Sequence, residues 1–481
     1  MNLAAIRRLD PYRLELPPSF KEGMTGSAVI YADEKLEAVI EPAALEQAAN
    51  TATLPGLAGS ALAMPDIHTG YGFPIGGVAA YRASDGVISP GGVGYDINCG
   101  VRLLVSALEA KGVMKDLEKL AAALRSRVPA GLGAGGGIIL AKKDQEGPLL
   151  KGAAWAVQNG FGRPEDLARA ESGGAMPEPD PGEVGRRAME RGRDQLGTLG
   201  SGNHFLELQE VTDVYDEAAA RAFGVFKGQL TLMLHSGSRG LGHQVCTDFI
   251  AVMRGAAERY GIPLADGELA AAPFRSTEGQ RYFGAMQAAA NYAWANRQAL
   301  GAIAREAICG ALGLGERALD LRLVYDVAHN IAKFEKHMVD GRETALIVHR
   351  KGATRAFGPG HPELPPAYAA VGQPVIIPGD MGRASYLLAG TAKAMTDTFG
   401  STCHGAGRLL SRHEAVRRAR GRDIASELRG RGIWVASSGG STLAEEMPEA
   451  YKDVEDVVRV VSGAGIARKV ARFRPLVVIK G

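Results

Sequence analysis

The distribution of glycine is the feature that most constrains how this chain can fold. Glycine accounts for 64 of its 481 residues, and the excess is concentrated in short loops such as 70–77, 91–100, 131–137 and 237–242. Glycine permits positive φ and a close approach of backbone to ligand, so such loops often surround phosphates or metals. A need for many tight turns would explain any one loop. It is a weaker explanation for the set, because metal-ligand residue types recur within the loops.

Strands and helices interleave without the regular alternation of a doubly wound sheet. We therefore predict an α+β fold, a single large domain over 1–481 with mixed β-sheets surrounded by helices and a helical insertion at about 243–312. The first 60 residues predict a small cap with a helix at 42–50. The Pro- and Gly-rich segment 171–183 predicts an exposed connection. Apolar patterns predict strands at 76–81, 101–108, 229–235, 321–327, 346–349, 375–377 and 477–479, and helices at 115–128, 243–260 and 278–312.

Charge and cysteine usage limit the class of protein. The formal net charge is +2, so any nucleic-acid contact must come from local basic groups. The N-terminal residues lack the apolar core of a signal peptide, and no stretch approaches the roughly 18 apolar residues that span a bilayer. The four cysteines show no disulfide-scaffold spacing. We therefore expect a cytoplasmic enzyme with no membrane partner and with thiols that are buried or functional.

Five metal-ligand side chains stand on glycine-rich loops or at predicted strand ends. Asp96 and Cys99 share one tight loop, His204 follows Gly-Ser-Gly-Asn, His235 ends a predicted strand, and His329 follows Asp-Val-Ala. A thiolate can bridge two cations while carboxylate oxygen and imidazole nitrogen complete their shells. Each histidine alone could be an ordinary packed residue, but the set predicts a metal centre. The mixed ligands suit Mn²⁺ or Zn²⁺, and two metals about 3.5–4 Å apart would suit phosphoryl transfer.

Two further positions lie close to this motif set in the sequence. Asp66 and His68 stand in Met-Pro-Asp-Ile-His-Thr-Gly. They are weaker candidates, and either orientation of metal ligands or a role in a turn would explain them.

A strand, a glycine-rich turn over 236–242 and a helix form a candidate anion cradle. Backbone N–H groups and the positive helix start would face a phosphate, with Arg239 adding bidentate contacts. The Gly-Lys-Ser/Thr ending of a Walker A loop is missing. Lys480 stands at the end of the last predicted strand, so its amine either points into a pocket or is solvated.

His404 stands apart from the candidate metal ligands. It lies between Cys403 and the glycines Gly405 and Gly407, with Arg408 after them. A neutral imidazole is a competent nucleophile toward a nucleotide α-phosphorus, and the glycines would let a bulky phosphate approach. A fourth metal ligand or a general acid are alternative roles. Cys403 is a rival nucleophile, but adjacent residues on an extended loop point opposite ways, so we favour His404.

Taken in order, these segments resemble the RtcB family of RNA-splicing ligases. They cover most of the chain from about residue 60 to the C-terminus: Pro65-Asp-Ile-His-Thr-Gly-Tyr-Gly-Phe-Pro-Ile-Gly-Gly-Val, Gly94-Tyr-Asp-Ile-Asn-Cys-Gly-Val-Arg, Leu199-Gly-Ser-Gly-Asn-His-Phe-Leu-Glu, His235-Ser-Gly-Ser-Arg-Gly, Asp326-Val-Ala-His-Asn, Arg350-Lys-Gly-Ala-Thr-Arg and Thr402-Cys-His-Gly-Ala-Gly-Arg. The region 131–183 has no matching motif.

The resemblance implies a GTP- and Mn²⁺-dependent ligase active in tRNA splicing, RNA repair or both. It would join an RNA 3′-phosphate or 2′,3′-cyclic phosphate end to a 5′-hydroxyl end, through guanylylated His404 and then a 3′-guanylylated RNA. The RNA partner would be tRNA halves, and archease is a possible activator. A phosphoesterase that only opens cyclic phosphates and an RNA-binding scaffold with a structural metal are the rival functions.

The resemblance also implies roles for individual residues. One Mn²⁺ would be held by Cys99, His235 and His329, and the other by Asp96, Cys99 and His204. Arg191, Arg239, Lys351 and Arg412 would hold RNA phosphates. The positions expected around GTP are Asn203, Glu207, His329, Ser385, His404, Gly405, Ala406, Gly407, Arg408, Tyr451 and Lys480, with Glu207 and Lys480 on guanine.

Overall fold

The structure, a computed structural model, describes residues 1–131, 133–437 and 439–481. The strands are β1 (Arg7–Asp10), β2 (Arg13–Leu16), β3 (Ala28–Tyr31), β4 (Ala61–His68), β5 (Ile75–Arg82), β6 (Val87–Ile88), β7 (Gly100–Glu109), β8 (Phe205–Val214), β9 (Gln229–Ser236), β10 (Ala272–Pro273), β11 (Arg322–Ala328), β12 (Asn330–Val339), β13 (Arg342–Lys351), β14 (Ala353–Arg355), β15 (Pro374–Ile377), β16 (Ser385–Gly390), β17 (Ser401–Cys403), β18 (Trp434–Ser437) and β19 (Ala467–Lys480).

The helices lie between these strands and at their ends. They are α1 (Glu34–Glu37), α2 (Pro42–Thr51), α3 (Leu117–Arg127), α4 (Glu146–Lys151), α5 (Ala153–Gln158), α6 (Pro164–Leu167), α7 (Arg186–Gly192), α8 (Glu217–Phe223), α9 (Arg239–Arg259), α10 (Thr277–Leu312), α11 (Glu316–Leu319), α12 (Ala392–Asp397), α13 (Arg412–Arg418), α14 (Ile424–Gly430), α15 (Gly440–Glu445) and α16 (Val454–Gly463).

Two large sheets organise the molecule. One has the order β1-β2-β3-β4-β5-β13-β12, and the other has the order β11-β7-β9-β8-β19-β16-β15 with β18 paired to β19. Both are mixed, because β3 pairs with β4 and β18 with β19 in parallel while the other neighbours are antiparallel. The predicted α+β class with mixed sheets is confirmed.

Helix α10 joins two of the hydrophobic cores. Its first half, including Trp294, packs in the core that also contains α9, while Leu300 and Ile308 pack under the second sheet with α3. Ser276 caps its start by accepting from Gly279 N–H, and the helix ends at Gly313, whose φ of +66° suits glycine. Among the described residues, no helix is both long and apolar enough to cross a membrane.

The structure corrects three of the sequence expectations. The first 60 residues are not a cap, because β1 to β3 form one edge of the seven-stranded sheet. The connection at 171–183 is not uniformly exposed: Glu171 is fully buried and accepts a hydrogen bond from Ala328 N–H at 3.0 Å. Helix α9 begins at Arg239 rather than near residue 243. The single-domain division and the insertion at 243–312 stay predictions, although both helices of that segment are present.

Strand register brings the candidate ligands to one end of the eight-stranded sheet. Gly100, at the start of β7, pairs with both Ser236 at the end of β9 and Ala328 at the end of β11. Phe205, at the start of β8, pairs with His235. Residues just outside these strand ends therefore meet. At His329 the chain leaves β11 of this sheet and enters β12 of the other.

Candidate active site

The predicted metal ligands form one buried cluster. Cys99 Sγ lies 3.3 Å from His204 Nε2 and 3.2 Å from His235 Nε2. His235 Nε2 lies 3.2 Å from His329 Nε2, and His204 Nε2 lies 2.9 Å from Asp96 Oδ2. The thiol therefore stands between two sets of ligand atoms, which are the two sets that the family resemblance implies.

Hydrogen bonding fixes which ring nitrogen His204 offers to a metal. Its Nδ1 donates to the carbonyl of Leu199 at 3.0 Å, so Nε2 carries the lone pair. That lone pair faces the carboxylate of Asp96 and the sulfur of Cys99. Electron-rich atoms at such distances repel unless a cation lies between them, so this donor set suits a divalent metal of intermediate softness.

Burial sets the protonation of the metal-free cluster. It lowers the pKa of His235 and His329 well below the usual range, and neighbouring imidazoles lower both further. Burial, and then the Asp96 charge, raises the pKa of the Cys99 thiol. Burial acts to raise the pKa of Asp96, but in the metal-free protein a proton on His204 Nε2, in the place a metal would take, bonds this carboxylate and outweighs burial, so the pKa is lowered. Neutral imidazole is the ligand form that metals require.

A buried arginine that the sequence analysis missed supports the cluster. Arg297 is fully buried in α10 and donates to the carbonyls of Asn98 at 2.6 Å and Ser236 at 3.1 Å. It also pairs with Asp326 at 2.8 Å. One side chain thus ties together the Cys99 loop, the end of β9 and strand β11. An arginine in the middle of an alanine-rich helical stretch, between Asn296 and Gln298, was the available signal.

His404 lies beside the metal-ligand cluster but is held separately. Its ring centroid is 4.7 Å from that of His329. Its Nδ1 lies 2.6 Å from Asp66 Oδ2, which also accepts from the backbone N–H groups of His404 at 3.0 Å and Gly405 at 3.3 Å. Because Nδ1 must donate to the carboxylate, Nε2 keeps its lone pair. Asp66 therefore orients His404. The two roles that the sequence suggested for Asp66, orienting metal ligands or serving a turn, are replaced by this one.

Two glycines allow the backbone to pack closely around this pair. A Cβ on Gly407, whose φ is +75°, would stand 2.3 Å from the carbonyl oxygen of Asp66, and one on Gly352, with φ +60°, would stand 3.1 Å from His404 Cε1. Any larger residue would displace the pair. Cys403, the rival nucleophile, is fully buried in the core of the seven-stranded sheet.

The cluster and His404 open into one cavity of about 330 Å³. One part of its wall is a polar network: Arg408 donates to Glu446 at 3.0 Å, and Tyr451 donates to the same carboxylate. Lys480 Nζ lies 3.6 Å from Glu446 and donates to the carbonyl of Gly202 at 3.0 Å. Of the two alternatives for the Lys480 amine, a pocket or solvent, the structure therefore shows the pocket.

The other predicted GTP positions are only partly at this wall. Asn203 and the segment from Gly405 to Gly407 line the cavity. Glu207 and Ser385 do not; both bond to Gln209 Nε2, at 2.7 and 3.3 Å. Burial raises the pKa of Glu207 to about 7.

The predicted RNA-phosphate residues separate into two pairs. Lys351 and Arg412 line the cavity, whereas Arg191, in α7, and Arg239, the first residue of α9, do not. Arg239 is buried, has φ +55° and bonds Thr198 Oγ1 at 3.3 Å. The predicted anion cradle at 236–242 is shortened by the early helix start. The cradle bonds a protein carboxylate, because Asp96 Oδ1 accepts from Ser238 Oγ at 3.2 Å.

Comparison with known proteins identifies the class to which this arrangement belongs. The family model described as "tRNA-splicing ligase RtcB" matches residues 47–481. A protein named tRNA-splicing ligase RtcB from Archaeoglobus fulgidus is 53% identical over 482 residues, covering 100% of both chains. Its namesakes from Thermococcus kodakarensis and Aeropyrum pernix are 52% and 48% identical, covering 100% and 99% of both chains.

The chain is therefore an enzyme of the ligase class. It belongs to the RtcB family.

Proposed function

We propose that the chain is an RNA ligase of tRNA splicing that uses GTP and two Mn²⁺ to join an RNA 3′-phosphate or 2′,3′-cyclic phosphate end to a 5′-hydroxyl end. The observation that carries this proposal is the placement of His404, held by Asp66, beside a Cys/His/Asp cluster in one cavity. A cytoplasmic location, RNA repair as a further role and archease as a partner stay predictions.

The cluster has the donors that two Mn²⁺ ions need. Cys99, His204 and His235 place one ligand atom each within 4.8 Å of one another. We assign Cys99, His235 and His329 to one ion and Asp96, Cys99 and His204 to the other, with the thiolate shared. When bound, the ions would polarise phosphate oxygens and offset the negative charge of the leaving group.

His404 is the proposed nucleophile. Its Nε2 would attack the α-phosphorus of GTP, forming an N–P bond as the α–β P–O bond breaks and pyrophosphate leaves. The imidazole then carries a positive charge, which the Asp66 carboxylate at Nδ1 stabilises. Arg408 and Lys480 stand on the same cavity wall and offer cations to the nucleotide phosphates.

We propose three RNA steps at the same site. A cyclic end is first opened by water to a 3′-phosphate, whose oxygen attacks the GMP phosphorus and breaks the N–P bond. The 5′-hydroxyl then attacks the RNA phosphate, losing its proton and releasing GMP. Lys351 and Arg412 line the cavity, and Arg191 and Arg239 lie near it, so we assign these four cations to the RNA backbone.

The two rival functions leave parts of the site without a role. A phosphoesterase needs the metals but not an aspartate-bound imidazole with a free Nε2. A structural metal site is normally closed, tetrahedral and rich in cysteine, whereas this cluster has one cysteine and borders a cavity.

The test is covalent labelling with α-phosphate-labelled GTP and Mn²⁺, with labelled ATP in parallel. We expect an acid-labile, GTP-dependent label on His404. His404→Ala should retain bound metal without label, whereas Cys99→Ala should lose both. Normal labelling of either variant, or absence of label from a metal-loaded wild type, contradicts the proposal, and cyclic-phosphate hydrolysis would then be assayed.

A further inference from the structure

Three aromatic rings that the mechanism does not use line the same cavity. The rings of Tyr71 and Tyr95 meet edge to face with centroids 5.2 Å apart, and those of Tyr95 and His243 stack at 5.9 Å with planes 24° apart. Tyr71 and Tyr95 are half-buried and His243, on the first turns of α9, is exposed. The cluster therefore presents flat apolar faces to the cavity and to solvent.

Cations surround these rings. Lys351 Nζ donates to the carbonyls of Tyr71 and, at 3.0 Å, of Phe73. Arg254 reaches the Tyr71 hydroxyl at 3.4 Å. On the far side, Arg191 donates at 3.2 Å to Gln244, the residue after His243.

Two carboxylates also face the cluster. Glu268 accepts from the Gly72 N–H at 3.1 Å, and Asp96 follows Tyr95 and acts on the charge of His243. Burial lowers the pKa of Lys351 to about 7, and a phosphate beside this amine favours its charged form. With Arg254 and Arg191 the groove then offers cations to a phosphate backbone, and aromatic faces beside such cations are how proteins bind single-stranded nucleic acid.

We propose that Tyr95 and His243 form a stacking platform for the nucleobase of a terminal RNA nucleotide at the ligation junction. The platform rests on the proposed function, since it gives that function a subsite for its RNA. Guanine of GTP is the less favoured occupant, because the rings stand with Lys351 and Arg191, to which we assign RNA phosphates. The Arg408, Glu446 and Lys480 network lies elsewhere on the wall.

Any of the four bases can stack on a ring, but an abasic nucleotide cannot. The platform therefore makes ligation independent of which base is at the junction and dependent on a base being there. The structure leaves two sources for that base, the nucleotide with the 3′-phosphate and the nucleotide with the 5′-hydroxyl, so the substrates must distinguish them.

The experiment measures ligation kcat/KM for an intact RNA pair, a pair abasic at the 3′-phosphate nucleotide and a pair abasic at the 5′-hydroxyl nucleotide. Each is tested with wild type, His243→Ala, Tyr95→Leu and the ring-preserving Tyr95→Phe. His413→Ala is the matched control, since His413 is exposed and is not part of the cavity wall.

We expect one abasic pair to lose about tenfold or more in kcat/KM with wild type. The same loss on the abasic pair should be seen with Tyr95→Phe and His413→Ala. With His243→Ala and Tyr95→Leu the loss should fall below about twofold, because removing the ring and removing the base each abolish the same contact. If Tyr95→Leu fails to fold, the surface variant His243→Ala still decides.

Equal rates on intact and abasic RNA, or an abasic penalty of the same size in wild type and His243→Ala, overturn the platform alone. A wild type that neither labels with GTP nor joins the intact pair overturns the proposed function, and the platform with it.

Discussion

Replacing Asp66 with asparagine tests whether the carboxylate holds His404 as a nucleophile. One oxygen, Oδ2, accepts from His404 Nδ1, His404 N–H and Gly405 N–H at 2.6, 3.0 and 3.3 Å. The other, Oδ1, is buried without a hydrogen-bond partner among the described residues. An amide therefore cannot replace the carboxylate without a cost in either orientation.

The two orientations give a range for the expected loss. If the amide oxygen takes the Oδ2 position, the NH₂ group is buried without an acceptor and the charge opposing the imidazolium is gone. A hydrogen bond to a charged group contributes about 1.5–3 kcal/mol, or roughly 10- to 150-fold in rate. If the NH₂ group faces Nδ1 instead, the ring proton moves to Nε2. The corresponding aspartate-to-asparagine change in a Ser-His-Asp triad costs about 10⁴.

We therefore expect Asp66→Asn to slow single-turnover guanylylation by about 10- to 10⁴-fold with unchanged metal content. The assay is rapid-quench labelling by GTP at saturating Mn²⁺, with bound metal measured by elemental analysis after gel filtration. Asp456→Asn is a matched control, because Asp456 is also buried but pairs with Lys35 and Arg459. A rate within about threefold of wild type would refute the role, and loss of metal would place Asp66 with the metal ligands instead.

Three other substitutions test the rest of the site. Arg297→Met should weaken metal binding about 10- to 100-fold in a calorimetric titration, since outer partners of ligands have effects of that size; unchanged affinity would contradict its positioning role. Glu207→Gln should stabilise the metal-free protein above pH 7 by up to about 3 kcal/mol, or about 3 °C in Tm, because burial raises the pKa of Glu207 to about 7. The ionised form costs most above that pKa, so the difference should shrink as pH falls and vanish below about pH 4.3; a pH-independent Tm difference would count against it. Gly352→Ala should reduce guanylylation at least tenfold, because its Cβ would stand 2.3 Å from Ile75 Cγ2 and 3.1 Å from His404 Cε1 and would displace the packing around the imidazole, whereas Gly341→Ala, at similar positive φ with open space around its Cβ, should not; equal effects would point to backbone strain alone.

The part of the site on strand ends could be predicted from the sequence. Cys99, His235 and His329 each adjoin an apolar stretch that is readable as a strand, and antiparallel pairing brings such ends together. The pairing of Asp66 with His404 could not be predicted, because 338 positions separate them and nothing local to either residue indicates the contact.

The incorrect predictions about the fold have the same origin, contacts that are not local in the sequence. Strands β1 to β3 are short, and they join the seven-stranded sheet only through the pairing of β3 with β4. Nothing within the first 60 residues indicates that pairing, so the sequence predicted a separate cap. Glu171 lies in a polar, glycine-rich segment, yet it is buried because Lys333 and the Ala328 N–H neutralise and bond its carboxylate. Helix α9 begins at Arg239, which has a positive φ of +55°, a conformation that the residue type does not suggest.

The position of His329 between the two sheets has a mechanical consequence. Its N–H donates to the Cys99 carbonyl at 2.9 Å, and its own carbonyl accepts from Ala353 N–H at 3.1 Å. A metal held by its ring would therefore stabilise the docking of one sheet on the other, since a ligand that binds only the folded arrangement adds its binding free energy to that arrangement. Removing metal with a chelator should then speed amide hydrogen exchange along the whole of β12 and β13, including the ends of these strands away from His329, and not only in the glycine loops.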